Sequence, residues 1–598
     1  MARTARSKEQ PSSRRRAVLQ RTAGWTALGL ILVIPLLWDV TAFEVFRGPK
    51  REAALVGWTF LAVLFLSANL FNRSCWDRWW APWAGLLTGG VVSAVVGSNP
   101  AHSFLSLVPV ALAALGWGAI RQLSAAWRER LAGTVVISGV IQAVLALLFL
   151  SPATHPPSWR HLEELSGRFF WLGTMGNPGD VAVFLVLPTI LAASLALATR
   201  PIRWWPAAAA VLQAAVILAT STLTAIAAVA TGLLVLLLRH LPARRRLPAV
   251  AIGAALLALL SLASPLRHRV VTEVRTVRQA GWSAAGSYRG AGYAAAAGML
   301  AAHPITGVGF GRYEAHSFQF QSEDVLAERG RTLGLETGFG QAHNDVLQYT
   351  AETGLLGLFL AGAGLVIALR SSRSRGVLPD PVPLIAAGVV LALTQFPLHL
   401  TAMAVQWTVM AALAVPGLPP TAHKGTWRRR LRVMVILAVT VGAAWIAWQR
   451  HLSWRGILWG DRLLRSQHAA SEARRERALF GHTVLEPRLR WLPGSWQPLV
   501  TLGNLAMEAG APQRARNHFS RALELADRPE IRFNLGLATI QTGERELGLL
   551  QLQRAVELNP RVFAEIRDPR LRQDLRIRLD ASGYSQRHPW AFEDTPGD

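Results

Sequence analysis

Stretches of about 20 apolar residues recur along most of the chain, and short polar or charged connections separate them. An α-helix needs that length to cross a hydrocarbon core of about 30 Å. The pattern predicts an all-α fold, a polytopic transmembrane helical bundle of about 12–13 spans. The predicted spans are 23–43, 53–72, 79–97, 103–120, 131–150, 179–199, 204–220, 222–239, 247–264, 343–369, 381–397, 400–417 and 430–448. Dividing 204–239 into two spans is the weakest of these predictions, because the stretch is barely long enough for two crossings.

Charge indicates how the bundle is oriented. The chain carries 62 Lys and Arg against 36 Asp and Glu, a formal charge of +26, and such a balance is typical of nucleic-acid binders. Here the arginines stand in short clusters between apolar runs, so we assign them to membrane topology and expect no nucleic-acid partner. The positive-inside rule places the basic N-terminus in the cytoplasm. Span parity then puts the loops 151–178 and 265–342 and the tail from 449 onward outside, in the periplasm of a bacterial inner membrane.

Three regions follow from these patterns. A basic cytoplasmic segment, 1–22, precedes a membrane domain, 23–448, whose longest periplasmic loop is 265–342. The tail, 449–598, lacks long apolar runs and contains a self-match at a spacing of 33 residues, clearest in 496–560. The matching positions are Leu502-Gly503, Ala515, Phe519, Ala522 and Leu525, then Leu535-Gly536, Gly548, Leu552, Ala555 and Leu558.

This alternation of small and large residues is typical of a tetratricopeptide repeat, with two helices per unit. Such arrays usually need three units, so we expect a degenerate helix pair in 455–495. The tail is either a docking surface for a protein partner or a helical cap packed on the membrane domain. One cysteine, Cys75, excludes an intramolecular disulfide framework and a cysteine-based zinc site.

The long loop and the span after it contain the most informative residues. Gly307, Gly309 and Gly311 alternate with other residues, which predicts tight backbone turns at the membrane surface. This pattern alone is a weak indication of phosphate binding. His343 begins a predicted span at the outer face, where an imidazole can act as a general base. The alternative is an ordinary hydrogen-bonded histidine.

Together these residues resemble the O-antigen ligase and polymerase superfamily of membrane glycosyltransferases. The resemblance rests on the order Arg289, His303-Pro304, Gly307 to Gly309, His343-Asn344-Asp345, Glu352, Gly354 and Gly357, with an upstream segment from Gly173 to Pro178. It implies transfer of glycan from an undecaprenyl-diphosphate-linked donor to an acceptor hydroxyl, with inversion and without metal or other cofactor. It also implies that Arg289 contacts the diphosphate and that His343 activates the acceptor.

Further contacts with the substrate are expected from residues beside these motifs. They are Arg168, Asn177, Gly307, Gly309, Arg312, Glu314 and Asn344. Members of the family commonly carry a second phosphate-binding arginine in a stretch that here reads Thr220 to Ala225, where Leu223 or a neighbour replaces it. Either another cation supplies the missing charge, with Arg168 as a candidate, or the donor pocket is altered or has lost activity. The alternative role of Arg168 is an interfacial anchor.

The acceptor stays open: lipid A core, a growing glycan or a protein hydroxyl would each fit. Two non-enzymatic alternatives also stay open. One is a transporter of lipid or polysaccharide, and the other is a scaffold whose repeat tail recruits glycan-assembly proteins.

Overall fold

The chain is all-α, as the apolar periodicity predicts. A computed structural model describes residues 11–39, 41, 45–69, 75–151, 171–198, 201–248, 250–251, 266–281, 285–333, 339–370, 376–419, 427–465 and 471–592, and these contain no strand. The helices of the first half are α1 (Pro11–Val33), α2 (Gly48–Asn69), α3 (Ala81–Val96), α4 (Pro100–Arg121), α5 (Ala125–Leu148), α6 (Pro178–Leu197), α7 (Trp204–Ala219) and α8 (Leu223–His240). Those of the loop and the following spans are α9 (Leu266–Ala280), α10 (Ala285–Ala302), α11 (Tyr313–Ser317), α12 (Glu323–Leu333), α13 (Asp345–Arg370), α14 (Val382–Thr394) and α15 (Thr401–Ala414). Helices α16 (Trp427–Arg465), α17 (Ser471–Leu485), α18 (Gln497–Glu508), α19 (Pro512–Leu525), α20 (Pro529–Gln541), α21 (Arg545–Leu558), α22 (Pro569–Ala581) and α23 (Tyr584–Arg587) complete the chain.

Eight of these helices are long and apolar enough to cross a membrane, and α7, α14 and α15 are shorter apolar helices. The chain is therefore a multi-pass membrane protein. Helices occupy twelve of the thirteen predicted spans, and the remaining one, 247–264, lies mostly outside the described residues. The division of 204–239 is confirmed, because α7 ends at Ala219 and α8 begins at Leu223.

The membrane helices pack through small residues and around one largely buried helix, α6. Helix α6 is the most enclosed of the candidate spans, with 78% of its apolar window buried. Helices α3 and α13 approach so closely that a Cβ atom at Gly85 would lie 2.1 Å from the Leu360 carbonyl oxygen. Such contacts let helices associate where lipid removes the hydrophobic driving force. They hold α13, which carries much of the candidate site, against the bundle.

Helix α16 crosses the predicted boundary between membrane domain and tail without a break. Its 39 residues span about 58 Å at 1.5 Å per residue. Beyond residue 448 it remains tied to the bundle, since Arg450 bonds to Glu52 at 2.9 Å and His451 lies 2.9 Å from Asp39. Hydropathy falls at 448, but helical structure continues to Arg465.

The 33-residue self-match corresponds to two helix hairpins, α18–α19 and α20–α21. A Cβ atom at Gly503 would lie 2.4 Å from Phe519, and one at Gly536 would lie 2.8 Å from Leu552. Phe519 and Leu552 are fully buried. The small residue of each first helix therefore makes room for the large residue of the second. Helices α16 and α17, which pack together, cover most of the stretch where the sequence predicts an additional pair.

The tail packs on the long loop, which is largely helical. Phe318, Leu326 and Leu558 form a buried apolar cluster between the two. Around it, the Arg561 side chain donates to the Gly330 carbonyl at 3.0 Å, and Arg587 pairs with Glu323 at 2.9 Å. The loop is thus enclosed between bundle and tail rather than spread over the surface.

Candidate functional site

The glycine segment after α10 fits into a kink of α13. Gly307, Gly309 and Gly311 have φ of 69°, 114° and 71°, as the expected turns require, and Gly354 has φ of 68° inside α13. The Gly309 amide donates to the Glu352 carbonyl at 3.1 Å. A Cβ atom at Gly354 would lie 2.1 Å from the Ile305 carbonyl oxygen. Only glycine combines this backbone conformation with this approach, so turn and kink depend on each other.

The turn surrounds a carboxylate of the protein itself. Glu352 is buried, and one of its oxygens accepts from the Gly311 amide at 2.8 Å. Its other oxygen accepts from the Tyr313 amide and from Gln348 Nε2, both at 3.2 Å. The amides that a bound phosphate would use therefore have protein acceptors. The structure gives Gly307 and Gly309, predicted as substrate contacts, a role in docking this segment on α13.

An aspartate–histidine pair lies at the first turn of α13. Nδ1 of His399 is 2.8 Å from a carboxylate oxygen of Asp345, and the Leu398 amide donates to the other oxygen at 3.0 Å. Nε2 of His399 lies 3.1 Å from Gln348 Nε2. Since the Gln348 amide nitrogen can only donate, this contact makes Nε2 the acceptor and leaves the proton on Nδ1. A hydrogen-bonded chain thus runs from Asp345 through His399 and Gln348 to Glu352.

His343 stands two residues before α13 in an unusual conformation. Its φ is 56°, and only it and Ser221 combine a side chain with a positive φ in the part of the chain that the structure describes. Such strained residues cluster at functional sites. The ring packs edge-on against Phe396, with centroids 4.7 Å apart. Its Nδ1 is buried without a hydrogen-bond partner among the described residues.

The surroundings of His343 keep its ring neutral. Burial, followed by the positive charge of Arg289, lowers the pKa of His343 to about 4. Since imidazole ordinarily titrates near 6.5, the ring carries a free lone pair at neutral pH. It can accept a proton or a hydrogen bond from a substrate hydroxyl.

Arg289 reaches the same place from α10. Its guanidinium donates to the Thr394 carbonyl at 3.3 Å, and one turn later the Tyr293 hydroxyl donates to the His343 carbonyl at 3.3 Å. Burial lowers the pKa of Arg289, but this group keeps its proton at neutral pH. The two residues predicted as catalytic therefore converge beside the segment from Thr394 to Phe396.

The stretch where the family's second arginine is replaced also reaches this site. Gln395 Nε2 donates to Thr224 Oγ1 at 2.6 Å, and the Gln395 side chain contacts the His343 ring. Thr220, Ser221 and Thr222 are buried just before α8. Of this stretch, Thr224 is connected to the site through Gln395, whereas the Thr220 hydroxyl donates to the Ile217 carbonyl at 2.7 Å.

The remaining predicted contacts occupy other places. Arg312 is buried and donates to the carbonyls of Leu525 and Glu524 in the tail, at 3.2 and 3.1 Å. Glu314 accepts from Trp496 and Arg528 of the tail, both at 3.1 Å. These two residues join the glycine turn to the tail.

Asn177 and Asn344 both cap helices. Asn177 accepts from the Gly179 amide at 2.7 Å at the start of α6, and Asn344 accepts from the Leu347 amide at 2.9 Å at the start of α13. Asn344 is therefore fixed beside His343. Arg168 lies outside the described residues.

Three residues at the site, His399, Gln348 and Gln395, have no role that the sequence alone predicts. A signal existed for His399, because Pro397-Leu398-His399 interrupts two apolar runs with a titratable residue. Nothing in the sequence around Gln395 indicates a functional role for it.

Comparison with known proteins identifies one related family. The family model described as O-antigen ligase matches residues 208–362, about a quarter of the chain. The matched stretch runs from α7 into α13 and contains Arg289, the glycine turn, His343 and Glu352. The match supports an O-antigen ligase-like membrane function in polysaccharide biosynthesis. No curated protein and no solved structure matches the chain.

Proposed function

We propose that this chain is an integral membrane glycosyltransferase that moves glycan from an undecaprenyl-diphosphate-linked donor to an acceptor hydroxyl on the periplasmic face. One observation carries the proposal: a guanidinium, Arg289, and a neutral imidazole, His343, converge beside residues 394–396 at the start of a membrane helix. A cation for the leaving group and an acceptor for a proton are the two groups that this reaction needs. The family match over the same residues supports the assignment.

The reaction is a single displacement at the anomeric carbon. The acceptor oxygen forms a bond to that carbon while the bond to the diphosphate oxygen breaks, and the electron pair leaves with the diphosphate. Arg289 binds the departing phosphate oxygens, for which a planar guanidinium is well suited. His343 takes the proton of the acceptor hydroxyl. Inversion follows from one displacement, and the lipid diphosphate stores the energy of transfer, so neither nucleotide nor metal is required.

Substrate binding should itself prepare His343. The charge of Arg289 is one of the causes that lower the pKa of His343. A diphosphate bound to Arg289 offsets that charge and raises the pKa of His343 toward neutrality, where a general base is most effective. The donor therefore activates the base that serves the acceptor.

The Asp345–His399 pair acts as a positioning element. Asp345 fixes the ring and tautomer of His399. Gln348 then links His399 by hydrogen bonds to Glu352, which holds the glycine turn. His399 keeps 32% of its side chain exposed. The hydroxyl groups of Thr220 to Thr224 complete the donor pocket in place of the second arginine.

The tail completes the proposed organisation. We infer a tetratricopeptide-like unit in the periplasm, with the N-terminus in the cytoplasm. Arg312 and Glu314 fasten this unit to the glycine turn. It would hold a protein partner, or the protein that carries the acceptor, close to the site.

Purified protein in detergent tests the proposal directly. An undecaprenyl-diphosphate oligosaccharide serves as donor, with lipid A core, a free glycan end or a protein as separate acceptors. We expect transfer to one acceptor class and its loss in His343→Ala and Arg289→Ala, whereas His268→Gln, at an exposed position of α9, retains it. Full activity in both alanine variants would contradict the assignment. Binding of donor without transfer to any acceptor would favour a transporter.

A further inference from the structure

A cluster of three potential metal ligands lies in the tail, away from the glycan site. His482 is in the last turn of α17, Glu486 follows one helical turn later, and His518 faces them from α19. Residues four positions apart share one face of a helix. The cluster therefore joins a chelating pair from one segment to a third ligand from another.

The distances suit one ion. Nε2 of His482 is 3.0 Å from Nε2 of His518, and Glu486 Oε1 is 3.8 Å from the latter. One ligand atom from each of the three residues lies within 4.8 Å of the others. A tetrahedral ion that binds two nitrogens at about 2.0–2.1 Å holds them roughly 3.3 Å apart. A shift of a few tenths of an ångström therefore admits the ion.

The two imidazoles that face each other are buried. The side chains of His482 and His518 are 3% and 6% exposed. Their facing Nε2 atoms can share one hydrogen or bind one ion between them.

The donor set selects the kind of ion. Two imidazoles and a carboxylate suit zinc and its neighbours among the transition metals, whereas magnesium and calcium prefer oxygen ligands alone. Glu486 is 55% exposed, so its carboxylate can move onto the ion and water can fill a fourth position. The charges of Arg514 and Arg521 act on His518 and disfavour a cation, but both side chains lie at the water-exposed surface. They reduce the affinity rather than close the site.

We propose that the tail binds one divalent transition-metal ion, with zinc as the best fit, through His482, Glu486 and His518. The ion fastens α17 to α19 and so joins the first helix after α16 to the repeat hairpins. The site is structural. It takes no part in glycan transfer, so the metal proposal does not depend on the proposed function.

Full-length, tag-free protein in detergent, stripped with a chelator, provides the test. Cobalt(II) reports its coordination through its visible absorption, and zinc is then titrated by calorimetry. We expect one equivalent per chain, an affinity more than about tenfold lower in His482→Gln and in His518→Gln, and unchanged binding in His268→Gln. At a zinc concentration near the dissociation constant of the wild type, zinc should raise the unfolding temperature of the wild type and of His268→Gln more than that of either histidine variant.

A further variant separates loss of zinc binding from loss of folding. Glu486→Gln removes the carboxylate from a half-exposed position without changing the buried pair, and it should weaken zinc binding while the protein still folds. No saturable uptake by the wild type would show that the two histidines form only a hydrogen bond. Equal uptake by both histidine variants would place the metal elsewhere. Either result overturns the proposal.

Discussion

Asp345 and His399 are joined through Nδ1 of the imidazole at 2.8 Å, although 54 residues separate them in the chain. Burial opposes a charge on His399, but the hydrogen bond and the charge of Asp345 outweigh burial and raise its pKa. The pair connects the first turn of α13 to the short link between α14 and α15.

Asp345→Asn should lower glycan transfer by about a hundredfold, because the amide no longer fixes the ring and tautomer of His399. The turnover number should fall more than the Michaelis constant for the donor rises, since Arg289 is unchanged. Asp324→Asn is the matched control, at a side chain that is 89% exposed. An Asp345→Asn protein as active as this control would remove the pair from the mechanism.

The pH dependence of kcat/KM should report His399 rather than His343. Protonation of His399 at Nε2 removes the acceptor for Gln348, and its raised pKa places the resulting loss of activity above the ordinary 6.5 as pH falls. His343 contributes nothing in this range because its pKa is about 4. In Asp345→Asn the acid limb should move to lower pH. An unmoved limb would assign it to another group.

Arg289→Lys tests whether charge alone serves the donor. A lysine keeps the positive charge but loses the two parallel bonds of the guanidinium, so kcat/KM for the donor should fall about tenfold. Arg289→Ala should lower kcat/KM for the donor by a larger factor than Arg289→Lys. Arg278→Lys, on the exposed face of α9, is the control. Equal rates for the lysine variant and wild type would show that Arg289 does not bind phosphate in a bidentate manner.

Gly354→Ala should destabilise the protein by about 2 kcal/mol or more, since alanine is strained at positive φ and its Cβ meets the Ile305 carbonyl. Thermal unfolding in detergent measures the effect. Gly362→Ala lies on the same helix with open space around it and should change stability little. Similar unfolding temperatures for the two variants would mean that the turn and the kink are not coupled.

The spans and the glycine turns could be predicted from the sequence because their causes are local. A run of apolar residues fixes its own helix, and alternating glycines allow their own backbone angles. What the turn binds could not be predicted in this way. Its acceptor, Glu352, lies 41 residues after Gly311 and reaches it only because α13 kinks at Gly354.

The motif residues of the candidate site could be predicted from the sequence, but the residues that contact them could not. Arg289 and His343 stand in an order that resembles a known family. His399 and Gln395 join them through the packing of α14 and α15, which no local pattern specifies. Arg312 and Glu314 also show this limit: their position beside the turn suggested contacts with sugar, and only the folded chain shows that they contact the tail.

Helix α16 joins the bundle to the tail without a break. It extends over about 58 Å, and the contacts of Arg450 and His451 hold its middle against the bundle. The tail is therefore attached to the bundle by one continuous helix that is held near its middle. If the tail holds the protein that carries the acceptor, as we propose, the length of this helix contributes to how far the acceptor lies from Arg289 and His343.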